Sequence, residues 1–269
     1  MNHMLSIRGV TYAAVEFGSG ESLLLLHGFT GSKAVFQPFR EEWASHFRCI
    51  VPDLLGHGDS DAPLSPVRYG MAETLRDVLA ILDTLEVKQT HVLGYSMGGR
   101  IALAFALTYP ERVHRLVLEG ASPGLRTDDG RTSRRASDEQ LAQFIETEGV
   151  QAFVERWESI PLFASQRRLP EDVFLNQRAI RSQQRKEGLA GSLRGIGTGQ
   201  QPSYWSRLHE LRIPTLLVTG ELDMKFTQIN EQMAACMQDA THVVIQDAGH
   251  TPHIEKPSDF QRIVVEFLR

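Results

Sequence analysis

Short apolar runs alternate with amphipathic stretches along most of this 269-residue chain. Each run has a short apolar core and is closed by Gly, Asp, Glu, His or Ser. Continuous apolar runs of this length are typical of strands that are buried on both faces of a parallel sheet. The six runs are SLLLLHG, FRCIVPD, THVLGYS, VHRLVLEG, PTLLVTGE and THVVIQDAGH.

The segments between these runs have the periodicity of helices. In MAETLRDVLAILDTLEV an apolar stripe runs from Leu75 to Leu85, and GGRIALAFALTYPERV predicts a buried helix that ends near Pro110. PSDFQRIVVEFLR predicts a last helix, and LSIRGVTYAAVEFG predicts an antiparallel hairpin at one sheet edge. The alternation therefore predicts an α/β fold with a mostly parallel, doubly wound sheet.

The alternation stops between about Ser122 and Trp205, where no strand-like run occurs. SDEQLAQFIETEGVQAFVERWESI and PEDVFLNQRAIRSQQRKEGLAGSLRGIG have helical patterns instead. We therefore predict a core of residues 1–121 and 206–269 and a helical cap of residues 122–205. Ligands of open α/β sheets bind at the carboxyl ends of the strands, so we expect the cap to cover that edge.

Composition excludes several functional classes. The net charge of −5 comes without a long run of one sign, so we expect binding to neither nucleic acid nor a membrane. The N-terminal stretch lacks the apolar core of a signal peptide. Cys49 and Cys236 fit no metal or redox spacing, which favours free thiols and a cytoplasmic location. We expect a monomer or small homo-oligomer.

Gly94-Tyr95-Ser96-Met97-Gly98 is a G-x-S-x-G motif between a predicted strand and a predicted helix. So sharp a turn leaves no room for side chains at the two flanking positions, and it presents the serine hydroxyl above the sheet edge. Ser96 is therefore the candidate nucleophile or base.

A serine hydroxyl needs a neighbouring base, and this architecture orders the partners as serine, acid and histidine along the chain. Asp223 follows one predicted strand and His250 follows the next. We expect His250 to take the Ser96 proton and Asp223 to orient the imidazole. The less well placed alternatives are Glu221, Asp247 and His253.

The stretch LLLLHGFTGS predicts the remaining part of the site. A turn after its strand would present the Phe29 backbone N–H, which could form an oxyanion hole with the Met97 N–H. His27 and the segment of residues 53–58 are expected to brace loops near the site rather than to take part in catalysis.

Arg100 adds a cation beside the nucleophile. It follows Ser96 by four residues on the same predicted helix, so both side chains share a face. A pocket for neutral acyl groups has no use for a buried guanidinium, whereas a substrate carboxylate would be bound by two parallel hydrogen bonds. The predicted cap is rich in arginine, and its Trp157 could form a wall for a cyclic substrate. The other interpretation of Arg100 is an ion pair with a cap carboxylate.

The whole chain resembles the α/β-hydrolase superfamily. Its landmarks HGFTGS, PDLLGHGDS, GYSMGGR, GELD and GHTPHIEKP run from residue 27 to residue 257. Further stretches resemble one branch, the 2-succinyl-6-hydroxy-2,4-cyclohexadiene-1-carboxylate synthases (MenH) of menaquinone biosynthesis. They are GYSMGGR, LEGASPGL, RWESIPLF and GLAGSLRGIGTGQQPSYW.

The resemblance implies a lyase that removes pyruvate from a small anionic cyclohexene carboxylate without metal or cofactor. By position, Ser96, Asp223 and His250 match the family triad, with Ser96 acting as the base that abstracts a ring proton. The implied substrate-binding residues are Tyr95, Arg100, Trp157 and the cap arginines Arg131 and Arg181, with Arg134 and Arg185 as alternatives.

Two other functions remain open. The same triad could make Ser96 the covalent nucleophile of a hydrolase for small carboxylate-bearing esters, thioesters or ring-cleavage diketones. A ligand receptor on this fold is the third possibility, although a receptor would not need the three triad residues.

Overall fold

Eight strands form one sheet in the computed structural model, which describes residues 1–269. In chain order the strands are β1 Asn2–Ile7, β2 Val10–Phe17, β3 Glu21–Leu26, β4 Phe47–Pro52, β5 Thr90–Tyr95, β6 Val113–Glu119, β7 Thr215–Gly220 and β8 Ala240–Ile245. Their order in the sheet is β1-β2-β4-β3-β5-β6-β7-β8. The strands β3 to β8 pair in parallel, whereas β1 and β2 form the predicted antiparallel hairpin at one edge.

Helices cover both faces of this sheet. In chain order they are α1 Arg40–Ala44, α2 Met71–Thr84, α3 Met97–Thr108, α4 Asp128–Glu158, α5 Glu171–Ser182, α6 Lys186–Ile196, α7 Met224–Cys236, α8 Pro252–Glu255 and α9 Pro257–Leu268. The apolar runs of the strands arise because both faces are covered. Leu24 and Leu26 of β3 belong to one apolar cluster, and Leu23 and Leu25 to the cluster on the opposite face.

The helix that follows Ser96 is the most deeply buried. Every residue of α3 from Met97 to Leu107 is buried, and the helix ends at Thr108, before Pro110. This confirms the predicted buried helix and its end near a proline, which lacks the N–H that would continue the helix. Burial on all sides makes α3 a rigid support for the residues in its first turn.

A buried carboxylate on α2 ties the N-terminal hairpin to the body. Asp77 is fully buried within the apolar face of α2, a position that the predicted stripe did not include. It accepts hydrogen bonds from the Tyr12 hydroxyl at 2.7 Å, from both terminal nitrogens of Arg68 at 2.5 and 2.9 Å, and from Arg8 at 2.9 Å. The charge is buried because three donors compensate it.

Replacing Asp77 by alanine should lower the free energy of unfolding by about 3 kcal/mol, because the substitution leaves Tyr12 and Arg68 without their partner. Urea unfolding of the two proteins measures the difference. Asp83→Ala on the same helix is the matched control, since Asp83 forms only an exposed ion pair with Arg112 and should cost less than about 1 kcal/mol. Equal losses in the two variants would contradict the role of Asp77.

The segment between β6 and β7 contains α4, α5 and α6, and a short 3-10 segment, Pro161–Arg168, lies between α4 and α5. A separate apolar cluster that includes Ile145, Phe153 and Leu189 holds α4 and α6 together. The long helix α4 is interrupted at Gly149, whose φ of 82° lies in the left-handed region. The sequence did not predict this break.

No helix is both long enough and apolar enough to cross a membrane.

Candidate active site

Ser96 lies in a strained turn between β5 and α3. Its φ of 50° and ψ of −105° are outside the conformations that L-residues favour. A Cβ at Gly94 would lie 2.3 Å from the Gly98 carbonyl oxygen, and a Cβ at Gly98 would lie 2.1 Å from the Leu26 carbonyl oxygen. Both positions therefore accept only glycine, and the turn holds the Ser96 side chain above the carboxyl edge of the sheet.

The structure brings Asp223 and His250 to Ser96. The His250 Nε2 lies 3.2 Å from Ser96 Oγ, and its Nδ1 lies 2.6 Å from Asp223 Oδ2. Asp223 and His250 are 7% and 2% exposed, so little water competes for these contacts. In this arrangement His250 can accept the Ser96 proton at Nε2 while Asp223 fixes the tautomer through Nδ1.

Two neighbouring loops supply these partners. Asp223 follows β7 and caps α7, because its Oδ1 accepts a hydrogen bond from the Phe226 N–H at 3.2 Å. The acid is thereby held from both oxygens. The three alternatives lie elsewhere: His253 Nδ1 bonds Glu119 at 2.8 Å, and Glu221 and Asp247 are exposed.

The Phe29 and Met97 amides have the features of an oxyanion hole. Neither N–H donates to a turn, loop or side-chain acceptor within the protein. Phe29 follows Gly28, where a Cβ would lie 2.5 Å from the Tyr95 ring. Met97 is the first residue of α3, so its free N–H lies at the positive end of the helix.

The loop that carries Phe29 is braced by His27. The His27 Nε2 accepts a hydrogen bond from the Leu54 N–H at 2.9 Å, and its Nδ1 lies 2.8 Å from the Gly28 carbonyl oxygen. Asp53 is also fully buried and accepts hydrogen bonds from the backbone N–H and the ammonium of Lys33 at 2.6 and 2.5 Å. These contacts connect two loops and include none of Ser96, Asp223 and His250.

A cavity of about 190 Å³ lies next to Ser96 and His250, between the sheet edge and the helices α4 and α6. Trp157 from α4 packs edge-on against Phe29, with ring centroids 5.5 Å apart. Its Nε1 is buried and has no hydrogen-bond partner. The wall therefore combines aromatic rings with polar groups that can orient a ligand. The lining includes Phe29, Tyr95, Ser96, Met97, Arg100, Arg134, Trp157, Phe163, Ser192, Lys225, Phe226 and His250.

Arg100 is the buried cation of this cavity. Its side chain is 8% exposed, and only Nη1 is bonded within the protein, to the Ile196 carbonyl oxygen at 2.8 Å and to Gln201 Oε1 at 2.9 Å. Arg100 forms no ion pair, so the alternative of a cap carboxylate partner is not what the structure shows. Burial lowers the pKa of Arg100 to about 10, which leaves the guanidinium charged at neutral pH.

Comparisons with known proteins show the family of the chain. The sequence matches the alpha/beta hydrolase fold family over residues 21–257. The chain belongs to this family.

Named relatives indicate which branch of the family the chain is similar to. Over 262 residues the chain is 47% identical to a putative 2-succinyl-6-hydroxy-2,4-cyclohexadiene-1-carboxylate synthase of Bacillus subtilis (strain 168), which covers 97% of this chain and 95% of the relative. The enzyme with that name from Salmonella heidelberg (strain SL476) is 34% identical over 92% of this chain and 94% of its own. The solved structure of MenH from S. aureus, at 33% identity, superposes with a TM-score of 0.91 over 96% of this chain and 97% of that chain. The resemblance inferred from the sequence is thus confirmed.

The cap arginines are where the structure departs from the sequence-based expectation. Arg131 and Arg181 do not line the cavity. Arg131 instead pairs with Asp128 one helical turn earlier and bonds the Leu125 carbonyl oxygen. Arg181 is 6% exposed and is held by Glu158 at 3.0 Å.

The two alternative cap arginines, Arg134 and Arg185, differ in whether they line the cavity. Arg185 donates to the Ser60 carbonyl oxygen and is not in the cavity lining. Arg134 does line the cavity, although its Nε lies 2.7 Å from Asp138 Oδ1. On a long, mostly polar helix the apolar residues do not define which face is buried. The sequence therefore could not show whether Arg131 or Arg134 faces the cavity.

Sequence reasoning missed several side chains of the cavity wall, and three of them lie at or near His250. Phe163 and Phe226 approach the His250 ring with centroids 6.1 and 4.5 Å away, and Lys225 lies beside Phe226. The sequence did contain a signal for Phe226 and Lys225. Asp223 is a typical residue at a helix N-terminus, so the first turn of the helix after it must lie next to His250. No group of three or more His, Cys, Asp or Glu side chains is arranged to hold a metal ion.

The buried histidines of the loops next to the oxyanion hole should make stability depend on pH. Burial lowers the pKa of His27 to about 4, and burial together with repulsion from His27 lowers the pKa of His57 to about 3, against 6.5 for a free imidazole. Below pH 6.5 the two imidazoles become protonated in the unfolded chain, whereas in the folded chain they stay neutral until the pH approaches their lowered pKa values. The free energy of unfolding should therefore fall with falling pH between about 6.5 and 4, by up to about 1.4 kcal/mol per unit and histidine.

Urea unfolding at several pH values measures this slope. Carboxylates contribute to the same trend, so the wild type is compared with His57→Gln, which removes one of the two histidines. The difference in unfolding free energy between the two proteins should change with pH over this window. A difference that is independent of pH would contradict the depressed pKa of His57.

Proposed function

We propose that this protein is a carbon–oxygen lyase of menaquinone (vitamin K2) biosynthesis. The reaction eliminates pyruvate from 2-succinyl-5-enolpyruvyl-6-hydroxy-3-cyclohexene-1-carboxylate to give 2-succinyl-6-hydroxy-2,4-cyclohexadiene-1-carboxylate. Ser96, His250 and Asp223 act as the base system, and Phe29 and Met97 form the oxyanion hole. Tyr95, Arg100 and Trp157 are the substrate-binding residues.

The observation that carries the proposal is the unpaired guanidinium of Arg100 in the cavity wall. Burying a charge costs several kcal/mol unless a partner compensates it. Inside the protein Arg100 donates to two neutral oxygens and to no carboxylate. The nearby Asp138 carboxylate is paired with Arg134 instead. A substrate carboxylate would supply the missing negative charge, and the proposed substrate carries several carboxylates.

The proton path follows from the triad geometry. The change from a 3-ene to a 2,4-diene requires that the C2–H and C5–O bonds break. Ser96 Oγ removes the C2 proton, and its own proton passes to His250 Nε2 across 3.2 Å. The charged imidazolium is stabilised by Asp223 at 2.6 Å.

The electrons of the C2–H bond first generate an enolate at the neighbouring succinyl carbonyl. The free N–H groups of Phe29 and Met97 would stabilise the negative charge on that oxygen. The electrons then form the C2=C3 bond, C3=C4 shifts to C4=C5, and the C5–O bond breaks. The departing enolpyruvate takes up a proton and becomes pyruvate, so no covalent enzyme intermediate is formed.

The remaining parts of the proposal concern organisation and setting. We assign residues 122–205 to a cap and residues 1–121 and 206–269 to the catalytic core, because the cavity lies between these two parts. We also propose that the enzyme works in the cytoplasm as a monomer or small homo-oligomer, in contact with neither nucleic acid nor membrane. The free thiols Cys49 and Cys236 suit a reducing setting.

The test is to supply the enolpyruvyl cyclohexene substrate and to follow pyruvate with a coupled lactate dehydrogenase. A simple acetate ester serves as the control substrate for the same triad acting as a hydrolase. We expect rapid pyruvate release with little ester cleavage. Ester cleavage without pyruvate release would reject the lyase and favour the hydrolase alternative, with Ser96 as a covalent nucleophile.

A further inference from the structure

The 3-10 segment Pro161–Arg168 of the cap rests directly on the loop that carries His250. A Cβ on Gly249 would lie 2.0 Å from Ser165 Oγ, so the segment and the loop are in close contact. The Phe163 ring faces the His250 ring edge-on, with centroids 6.1 Å apart. A piece of the cap that lines the cavity therefore also touches the residues around the catalytic base.

A line of buried hydrogen bonds crosses this contact. Arg181 Nη2 donates to Gln166 Oε1 at 2.8 Å, and Gln166 Nε2 donates to Thr251 Oγ1 at 2.9 Å. The Thr251 hydroxyl in turn donates to Glu255 Oε1 at 2.7 Å. We call these four residues, Arg181, Gln166, Thr251 and Glu255, the cap relay. Gln166 and Thr251 are each 1% exposed, so water does not replace these bonds.

The direction of every bond in the cap relay is fixed by its two ends. A guanidinium can only donate, so the Gln166 oxygen must face Arg181 and its NH₂ group must face Thr251. The Glu255 carboxylate accepts, so the Thr251 hydroxyl must donate to it. Hydrogen bonds that run in one direction between a cation and an anion polarise one another, which strengthens the line.

The relay ends at the backbone on both sides of His250. Glu255 Oε2 accepts the Gly249 N–H at 2.8 Å, and its Oε1 accepts the Thr251 N–H at 3.2 Å. His250 lies between these two residues, so the Glu255 carboxylate holds the backbone on both sides of it. At the other end, Arg181 is anchored by Glu158, which also pairs with Arg178.

We propose that Gln166 and Thr251 are positioning residues for the catalytic base. Through Glu255 they hold the His250 loop in the position that places Nε2 within hydrogen-bond distance of Ser96 Oγ. The 3.2 Å between these two atoms leaves little tolerance, since a small displacement of the loop breaks the bond. The inference rests on the proposed function for its effect on pyruvate release, but not for its effect on the reactivity of Ser96.

Thr251→Val tests the proposal, because valine keeps the shape of threonine and removes the hydroxyl. We expect kcat for pyruvate release to fall about tenfold to 100-fold, with KM changed by less than about threefold. The second readout is labelling of Ser96 by a fluorophosphonate, in which the Oγ–P bond forms, fluoride leaves and the serine proton goes to His250. Labelling should slow by a similar factor.

Three further variants make the test selective. Thr251→Ser keeps the hydroxyl and removes only the methyl group. Pyruvate release and Ser96 labelling should therefore stay near the wild-type rates, whereas both would fall if packing of the methyl group were what mattered. Gln166→Met breaks the same contact from the cap side and should reproduce the effect of Thr251→Val. Arg168→Ala is the matched control, since Arg168 lies in the same segment but forms an exposed ion pair with Asp247.

The outcomes separate the two proposals. If the wild-type protein releases no pyruvate, the proposed function fails, while the labelling rate still reports how His250 is positioned. If Thr251→Val or Gln166→Met folds, as judged by its melting temperature, and labels at the wild-type rate, the positioning role is wrong. Should Thr251→Val not fold, Gln166→Met decides the question alone.

Discussion

Replacing Ser96 by alanine should lower kcat for pyruvate release by about 10³-fold or more while KM changes by less than about threefold. The Ser96 hydroxyl is the group that is proposed to take the substrate proton, and His250 Nε2 accepts the hydroxyl proton from 3.2 Å away. Alanine removes the base and leaves the cavity wall and Arg100 in place. Steady-state kinetics with the coupled pyruvate assay measure both constants.

A second substitution sharpens this result. Because Ser96 and His250 act as one unit, the double variant with His250→Ala should be hardly slower than either single variant. Mass spectrometry of the wild-type protein during turnover should find no adduct on Ser96, since the proposed reaction is an elimination. An accumulating covalent adduct, or substantial activity in Ser96→Ala, would contradict Ser96 as the base.

The position of Ser96, Asp223 and His250 at one sheet edge could be predicted from the sequence, because a tight turn and the ends of parallel strands determine it. Gly94 and Gly98 flank Ser96 at positions where any Cβ would clash with the backbone, so the turn is determined by residues that are adjacent in the chain. Asp223 and His250 each follow an apolar run, and parallel strands end at one edge. The predicted strands and their parallel pairing are confirmed for the same reason, since apolar runs buried on both faces have few alternatives.

The cap could be predicted only as far as its helical content. Arg131 and Arg181 bind Asp128 and Glu158 rather than lining the cavity. An arginine side chain is long and flexible, so its direction depends on partners contributed by distant parts of the chain, and a sequence pattern does not contain them. Arg100 differs because α3 is buried on all sides and only its first turn faces the cavity.

Arg100→Gln should raise KM for the cyclohexene substrate by about 100-fold, because removing one partner of a buried charge pair costs about 2–5 kcal/mol. Glutamine retains an amide that can donate to the Ile196 carbonyl oxygen or to Gln201, which Arg100 now bonds at 2.8 and 2.9 Å. No carboxylate hydrogen-bonds to Arg100, and the nearby Asp138 is paired with Arg134, so loss of the charge breaks no internal ion pair. The melting temperature should consequently change little while substrate binding collapses.

Arg100→Lys separates charge from geometry. Lysine keeps the positive charge but lacks the planar fork that bonds a carboxylate through two nitrogens, so it should recover only part of the lost affinity. Cleavage of a neutral acetate ester, however slow, should be nearly the same in both variants, because that substrate has no carboxylate for Arg100 to bind. A parallel loss of ester cleavage and of thermal stability would show that Arg100 supports the fold instead of the substrate. A large rise in KM confined to the anionic substrate would assign the buried guanidinium to carboxylate recognition.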